Sequence, residues 1–272
     1  MSESSGSWLM NASGVVRDSD IGADLRNILG VDVWAVTSRA AVLEVERVID
    51  CGEHGKLSFL NANGGNIAYS DAEYRSILKQ FTVLSDGIGL DMGAHILYGS
   101  VFPDNLNGTD FIPQLFDGIS GSRKVALLGA RPGVAEAAAR EFLKGHPNHT
   151  FTVISDGYFD ETREREILTR LERERPDILL VALGNPAQEK WIAKNCDGRH
   201  AGVSIGVGAL FDFASGSVPR APELMINLRI EWLYRLWLEP RRMWRRYVLG
   251  NPLFVARILR QKLFGLGTGS TP

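Results

Sequence analysis

The sequence lacks several features that would narrow its function at once. Its two cysteines have no partners at metal-ligand spacing, which favours small buried side chains in a reducing compartment over a disulfide framework. No run of about 18 apolar residues occurs, so we expect no transmembrane helix. The polar first residues do not resemble a signal peptide. The five histidines show no zinc-ligand pairing, and no Walker-type loop or GxSxG elbow is present. These absences argue against zinc-dependent, P-loop and α/β-hydrolase chemistry.

Charge is unevenly distributed along the chain. The whole sequence has 30 basic and 32 acidic residues, but the segment from Arg220 to Lys262 has ten Lys and Arg against three Glu. An acidic body therefore carries a basic C-terminal segment. Such segregation indicates an anionic partner, which would be nucleic acid, phosphate or a membrane surface.

Short apolar runs alternate with helical stretches of about 10–15 residues, the pattern of an α/β protein. Strands are predicted at 31–36, 57–60, 81–84, 125–129, 151–154, 178–183 and 203–207. We therefore expect a mostly parallel Rossmann-like sheet with helices on both faces, plus a C-terminal helical basic appendage. The predicted units are a disordered or loosely packed segment at 1–30, the α/β core at 31–218, the appendage at 219–264 and a flexible tail at 265–272.

Polar and glycine-rich clusters follow the predicted strands, where ligands bind in parallel sheets. Each cluster alone has an ordinary explanation as a turn, but six together predict a composite pocket. Its candidate residues are Asn61, Asn63, Asp86, Gly129, Gly133, Asp156, Gly184 and Gln188.

Asp86 is the best candidate for acid/base chemistry. It ends an apolar strand between small residues, where partial burial would favour a general base; a helix or turn cap is an equal alternative. The amides of Asn61, Asn63 and Gln188 both donate and accept hydrogen bonds, which suits sugar hydroxyls or a pyrimidine edge. Gly129 could let a helix N-terminus approach a phosphate, together with Gly133, although close strand–helix packing explains them equally well.

The basic segment combines arginine with tryptophan. Arg235, Arg242 and Arg245 lie on roughly one side of a straight helix, which we expect Pro240 to divide. Arginine beside aromatic residues suits an anionic membrane surface, and guanidinium groups equally suit a diphosphate. The alternative is a solvated charged helix packed by its tryptophans.

Several motifs occur together in an order that resembles a known family. They include Asn61-Ala62-Asn63, Ser85-Asp86-Gly87-Ile88-Gly89, Pro186-Ala187-Gln188-Glu189-Lys190-Trp191 and Glu231-Trp232-Leu233-Tyr234-Arg235. From about Val31 to Arg246 the chain resembles the WecG/TagA/CpsF glycosyltransferases, which make bacterial cell-surface polysaccharides, including exopolysaccharides.

The resemblance implies an inverting transfer from a UDP-sugar to a polyprenyl-diphosphate-linked saccharide, with no metal or other cofactor. It implies that Asp86 is the general base, that Asn61 and Asn63 lie at the site, and that Gln188 lies near the nucleotide. The three arginines, Arg235, Arg242 and Arg245, would close over the site and favour membrane contact. The expected location is therefore cytoplasmic and peripheral, on the inner face of the plasma membrane.

Two positions depart from the family pattern. Asn61 stands where many relatives have threonine, and Asn105 stands where the family has an arginine. Both would lie near the sugar, so the donor stays open between a hexose such as glucose and N-acetylmannosamine.

Other classes of function stay open at this point. A nucleotide-dependent oxidoreductase or epimerase would need a GxGxxG turn and a ribose-binding acid, and neither is evident. A membrane-docked scaffold that binds nucleotide sugars without catalysis is a further alternative. A nucleic-acid partner is not expected, because the aromatics of the basic segment have core-like spacing rather than that of a stacking platform. Homo-oligomerisation is left open.

Overall fold

A computed structural model describes residues 24–222, 225, 231–238 and 240–265. An eight-stranded sheet has the order β1-β2-β4-β3-β8-β7-β5-β6, and β1 pairs antiparallel with β2 while the other pairings are parallel. The strands are β1 (Asp24–Ile28), β2 (Val31–Ala35), β3 (Gly55–Leu60), β4 (Thr82–Ser85), β5 (Lys124–Gly129), β6 (Thr150–Ser155), β7 (Ile178–Ala182) and β8 (Val203–Gly206).

Helices cover both faces of this sheet, and a separate buried apolar cluster lies under each face. Within the described residues they are α1 (Ser38–Asp50), α2 (Ala62–Ser70), α3 (Ala72–Leu78), α4 (Ile88–Tyr98), α5 (Gly108–Gly118), α6 (Val134–Gly145), α7 (Glu161–Glu174), α8 (Ala187–Asn195), α9 (Leu210–Ala214), α10 (Glu231–Leu238), α11 (Pro240–Trp244) and α12 (Gly250–Phe264). Helices α1, α5, α6 and α9 contribute to one cluster, whereas α2, α3, α4, α7, α8 and α12 contribute to the other. The predicted fold class is confirmed.

The central strand β7 shows why the apolar runs give this fold. All five of its residues are buried. Ile178 and Leu180 belong to one apolar cluster, and Leu179 and Val181 belong to the other. Because side chains alternate between the faces of a strand, a continuous apolar run satisfies a strand covered on both sides.

The start of regular structure differs from the expectation that it begins near Val31. Residues 24–28 already form β1, which pairs with β2 through a tight turn at Leu29 and Gly30, both with positive φ (53° and 87°). Ile28 and Leu29 are buried, and the guanidinium of Arg26 donates to the Ser100 and Val101 carbonyls. The polar residues of β1 interrupt the apolar pattern by which a strand is recognised in a sequence. The groups that bind Arg26 lie far along the chain, so no local pattern predicts this strand. The segment predicted to be disordered or loosely packed also includes residues 1–23, which lie outside the described part of the chain.

The C-terminal segment is helical, as predicted. A π-helical turn, Arg245–Leu249, joins α11 to α12. Helix α12 packs on α2 and α4, where the Phe254 ring fills a groove beside two glycines. A Cβ atom at Gly65 or Gly93 would lie 3.0 or 3.2 Å from that ring, so small residues set the docking distance. None of the helices in the described ranges is long and apolar enough to cross a bilayer. The predicted tail lies outside those ranges except at Gly265.

Candidate functional site

A cavity of about 620 Å³ opens at the carboxyl ends of β3, β4 and β8. The parallel register brings these ends together, because Leu60 pairs with Ser85 and Ser58 pairs with Gly206. The α4 and α5 starts and the C-terminal segment complete the walls. Its polar and charged lining residues are Asn61, Asn63, Asp86, Asn105, Asn107, Thr109, Asp110, Gln114, Gln188, Arg220, Glu231, Trp232, Arg246, Tyr247 and Asn251.

Asp86 is fixed where β4 leaves the sheet. Its backbone N–H donates to the Leu60 carbonyl at 2.8 Å, which ties the end of β4 to the end of β3. The Asn61 Nδ2 atom donates to Asp86 Oδ2 at 3.1 Å, while Asn61 Oδ1 caps α2 by accepting from Gly64 N at 3.0 Å. The half-buried carboxylate is therefore oriented by a neutral amide and faces the cavity.

Small residues let the backbone pass close to Asp86. Gly87 has a φ of 88°, and its N–H donates to Asn105 Oδ1 at 2.7 Å. A Cβ atom at Gly89 would lie 2.9 Å from the Cβ of Ala62, so α4 can pack closely on α2 only with glycine there. Asn105 therefore holds the turn that presents Asp86, a role that the sequence did not reveal.

Gln188 lies on the cavity floor and is 2% exposed. Its Oε1 accepts from the Gly208 N–H at 3.0 Å, and its Nε2 donates to Glu189 at 2.9 Å. Asn63 lines the same cavity. The structure thus brings together four of the predicted site residues, Asn61, Asn63, Asp86 and Gln188.

The other predicted residues lie away from the cavity lining. Gly129 is the last residue of β5, Asp156 and Gly184 follow β6 and β7 at the same edge of the sheet, and Gly133 precedes α6. At Gly129 a Cβ atom would lie 2.4 Å from the Ala182 carbonyl oxygen, so glycine is required for strand packing there.

The three predicted arginines are also not gathered in this cavity. Arg245 is exposed, 5.5 Å from the centroid of the Trp244 ring. The side chains of Arg235 and Arg242 lie outside what the structure describes. Binding roles for all three stay predictions.

Two cations that sequence reasoning passed over line the cavity. Arg220 forms an ion pair with Asp110, which also accepts from Asn107 Nδ2 at 2.7 Å. Arg246 lies over the Tyr247 ring, and its Nε is buried with no hydrogen-bond partner in the described part of the chain. The π-helical turn begins at Arg245, so a straight-helix extrapolation cannot identify which arginine faces the cavity.

The cavity therefore combines several amides, two guanidinium groups and three carboxylates, of which Asp86 is oriented by Asn61 and Asp110 is paired with Arg220. Amides match hydroxyl groups, a carboxylate can take a proton from one of them, and guanidinium groups match phosphate oxygens. The Trp232 and Tyr247 rings pack together with 5.7 Å between their centroids, and they give one wall of the cavity an aromatic surface. This set suits a hydroxylated, anionic ligand.

Comparison with known proteins gives the class. Residues 26–267 match the sequence model of the glycosyl transferase WecG/TagA/CpsF family. A relative from Bacillus subtilis (strain 168) is 33% identical over 210 residues, covering 76% of this chain and 79% of the relative. One from Staphylococcus aureus (strain MRSA252) is 28% identical over 240 residues, covering 87% and 92% respectively. Both relatives are named N-acetylglucosaminyldiphosphoundecaprenol N-acetyl-beta-D-mannosaminyltransferase.

The chain belongs to the glycosyl transferase WecG/TagA/CpsF family, and it is a glycosyltransferase. The family resemblance of the sequence motifs is thereby confirmed. The class also separates the chain from the nucleotide-dependent oxidoreductases and epimerases that a Rossmann-like sheet left open.

Proposed function

We propose that the protein transfers a hexose or N-acetylhexosamine from a UDP-sugar to a polyprenyl-diphosphate-linked saccharide in surface polysaccharide synthesis. The proposal rests on the orientation of Asp86, because the ends of β3 and β4 together hold its carboxylate toward the cavity. The names of the relatives support a lipid-diphosphate acceptor.

The proposed reaction is a single displacement with inversion. Asp86 takes the proton of an acceptor hydroxyl, and the oxygen attacks C1 of the donor from the face opposite the nucleotide. The bond from C1 to the diphosphate oxygen breaks, and UDP leaves with that electron pair. An α-linked donor then gives a β-linked product, which agrees with the beta-linkage in the relatives' names.

Arginine would supply the positive charge that the departing diphosphate needs. Arg220 and Arg246 line the cavity, and preorganised cations stabilise charge that develops in the transition state. Arg246 is the better placed of the two, since Arg220 is already paired with Asp110. We therefore propose that transfer proceeds without a divalent metal, with Arg235, Arg242 and Arg245 as further candidate contacts from the C-terminal segment.

The donor sugar is proposed as a choice between two chemistries. The relatives' names favour N-acetylmannosamine. Asn105, which accepts from the Gly87 N–H, is an uncharged amide where the family pattern has an arginine. A site without that arginine accommodates glucose as well as an N-acetylhexosamine.

Release of UDP tests the reaction class and the metal requirement together. Purified protein is incubated with EDTA and with UDP-glucose, UDP-N-acetylmannosamine or UDP-N-acetylglucosamine, each with and without a synthetic prenyl-diphosphate-sugar. We expect acceptor-dependent UDP release from one donor despite EDTA. Release that requires added Mg²⁺ or Mn²⁺ would contradict metal independence alone. A protein that binds none of the three donors in calorimetry would contradict the proposed function.

We also propose that the enzyme works at the inner face of the plasma membrane, through its C-terminal segment. Trp237, Leu263 and Phe264 are 76%, 73% and 78% exposed and are the three most exposed large apolar side chains among the described residues. Basic residues are concentrated in the same segment. Aromatic and aliphatic side chains beside arginine and lysine favour the headgroup region of anionic lipid.

A further inference from the structure

Directly beneath the cavity floor lies a buried carboxyl group that the proposed reaction does not use. Glu189 is 0% exposed, and one of its oxygens, Oε1, accepts three hydrogen bonds. The donors are Ser58 Oγ at 2.8 Å, Asn185 Nδ2 at 2.6 Å and Gln188 Nε2 at 2.9 Å. These side chains come from β3, from the loop after β7 and from the start of α8. Glu189 therefore connects the strands on both sides of β8.

The same network fixes the orientation of the Gln188 amide. Its Nε2 faces Glu189, and its Oε1 faces the Gly208 N–H. A flipped amide would place its NH₂ against the Gly208 N–H and its oxygen against the Glu189 oxygen, losing both hydrogen bonds. Gly206 allows this arrangement, since a Cβ atom there would lie 2.7 Å from Gln188 Nε2.

Burial of the Glu189 carboxyl group costs folding free energy, so its place in this network points to a role other than stability. Its second oxygen, Oε2, is buried without a hydrogen-bond partner, and no basic side chain in the described residues contacts the carboxyl group. Burial raises the pKa of Glu189, although the hydrogen bonds from Gln188 and Ser58 act in the opposite direction. A carboxyl group with an unsatisfied buried oxygen contributes little to stability compared with an apolar side chain of similar shape.

We propose that Glu189 is a positioning residue that locks the Gln188 amide, so that the floor of the cavity presents one fixed hydrogen-bonding pattern to the nucleotide of the donor. The inference rests on the proposed function, because it takes the cavity as the UDP-sugar site. Glu189 itself does not reach the ligand and acts through Gln188. Loss of Glu189 lets the amide rotate, and the cost then appears in nucleotide binding rather than in the proton transfer at Asp86.

Glu189→Leu removes the acceptor at similar volume, and Glu189→Gln keeps an acceptor oxygen. With UDP as the calorimetric probe, we expect Glu189→Leu to raise Kd by about tenfold or more, roughly the contribution of one well-positioned hydrogen bond to a charged or fixed partner. Glu189→Gln should stay within about threefold of wild type. Turnover at saturating donor should change by less than about threefold in both, since Asp86 is untouched.

A double-mutant cycle with Gln188→Ala separates positioning from simple loss of structure. In the Gln188→Ala background, Glu189→Leu should change the Kd for UDP by less than about twofold, because the amide that it holds is gone. An equal loss in both backgrounds, or a wild-type Kd for Glu189→Leu, would overturn the proposal. If Glu189→Leu does not fold, Ser58→Ala is measured in the same cycle, with a smaller loss that again disappears without Gln188.

The failure of this proposal is distinguishable from the failure of the proposed function. If wild-type protein binds neither UDP nor any UDP-sugar, both the proposed function and the proposed role of Glu189 are wrong. Wild-type protein that binds UDP and transfers sugar, with an unchanged Kd in Glu189→Leu, removes only the role of Glu189.

Discussion

At the scale of single residues, the site depends on the hydrogen bonds that side chains form at the carboxyl ends of the strands. Asn61 and Asp86 follow neighbouring strands, and the amide of one orients the carboxylate of the other at 3.1 Å. Asn61 also caps α2, so one residue serves both the helix and the site. The sequence left two interpretations of Asp86 equal, a general base and a cap; the role as base stays a prediction, and the Asp86 side chain does not cap the following helix. The helix after Asp86 begins with Gly87 as its cap and without a side-chain cap bond.

Replacement of Asp86 by asparagine should remove the proposed base and little else. We expect Asp86→Asn to lower turnover by roughly 10²–10⁴-fold, the usual contribution of a positioned general base. The Kd for UDP-sugar should stay near wild type, because shape and volume are kept. Steady-state transfer and calorimetry measure the two quantities.

Asp117→Asn is a suitable control for that variant. Asp117 is an exposed carboxylate paired with His146 and lies outside the cavity lining. Its activity should match wild type. Turnover of Asp86→Asn within a few-fold of wild type would show that another group takes the proton.

Glu189 also gives a prediction about pH. Burial raises its pKa above the ordinary value of 4.5, so the native state keeps a proton that the unfolded state releases. The contribution of Glu189 to the unfolding free energy of wild type should therefore fall as pH rises from about 4.5 through the raised pKa. Glu189→Gln cannot ionise, so its stability relative to wild type should increase over that window. Urea unfolding at several pH values measures the difference, and parallel pH profiles would mean that Glu189 ionises normally.

At the scale of elements, the C-terminal helix depends on a groove of small residues. Phe254 is 1% exposed and contacts the positions of Gly65 and Gly93. The α12 N-terminus is tied to α2 by Asn66 Nδ2, which donates to the Gly250 carbonyl at 2.8 Å. The neighbouring Asn251 lines the cavity, so the docking of α12 sets one wall of the site.

Truncation of Phe254 should loosen the docking of this helix. Phe254→Ala creates a cavity in the interface at a cost of about 3–5 kcal/mol, while Ile258 and the polar contacts of Arg257 and Gln261 remain. We expect faster proteolysis between residues 245 and 265 and a raised KM for the donor. Leu253→Ala, a 47% exposed neighbour on the same helix, is the matched control and should change neither. Equal protease resistance in the two variants would contradict this account of docking.

The elements show how much the sequence could predict. The strands β5 and β7 were evident because their apolar runs satisfy two buried faces. The hairpin of β1 was hidden, since the partners of Arg26 lie more than 70 residues away. The cavity floor was predictable because parallel strands bring their ends together, whereas Arg220 and Arg246 reach it through long-range packing that no local pattern encodes.

At the scale of the whole molecule, an acidic core carries a basic segment in which Trp237, Leu263 and Phe264 are exposed. We expect the protein to co-sediment with vesicles that contain anionic lipid, and binding should weaken with added salt because the basic residues are screened. Trp237→Ala should lower the bound fraction by about threefold or more, as interfacial burial of the ring is lost.

Tyr158→Ala serves as the control for vesicle binding. Tyr158 is 72% exposed, close to the exposure of Trp237, but it lies on the surface of the α/β core and not in the C-terminal segment. Its bound fraction should equal that of wild type. Equal losses in the two variants, or binding that ignores lipid charge, would count against the C-terminal segment as the contact.

The last described helix also completes the first described strand. Gln261 accepts from the Leu29 N–H and donates to the Asn27 carbonyl, so α12 closes the β1 hairpin across more than 230 residues. Chains are synthesised from the N-terminus, and domains acquire structure as they leave the ribosome. Residues of the cavity floor, such as Asp86 and Gln188, are therefore made well before Arg246 and Asn251. A chain that is still being synthesised therefore holds the proposed base without its cationic wall until Arg246 and Asn251 have been added and α12 has docked.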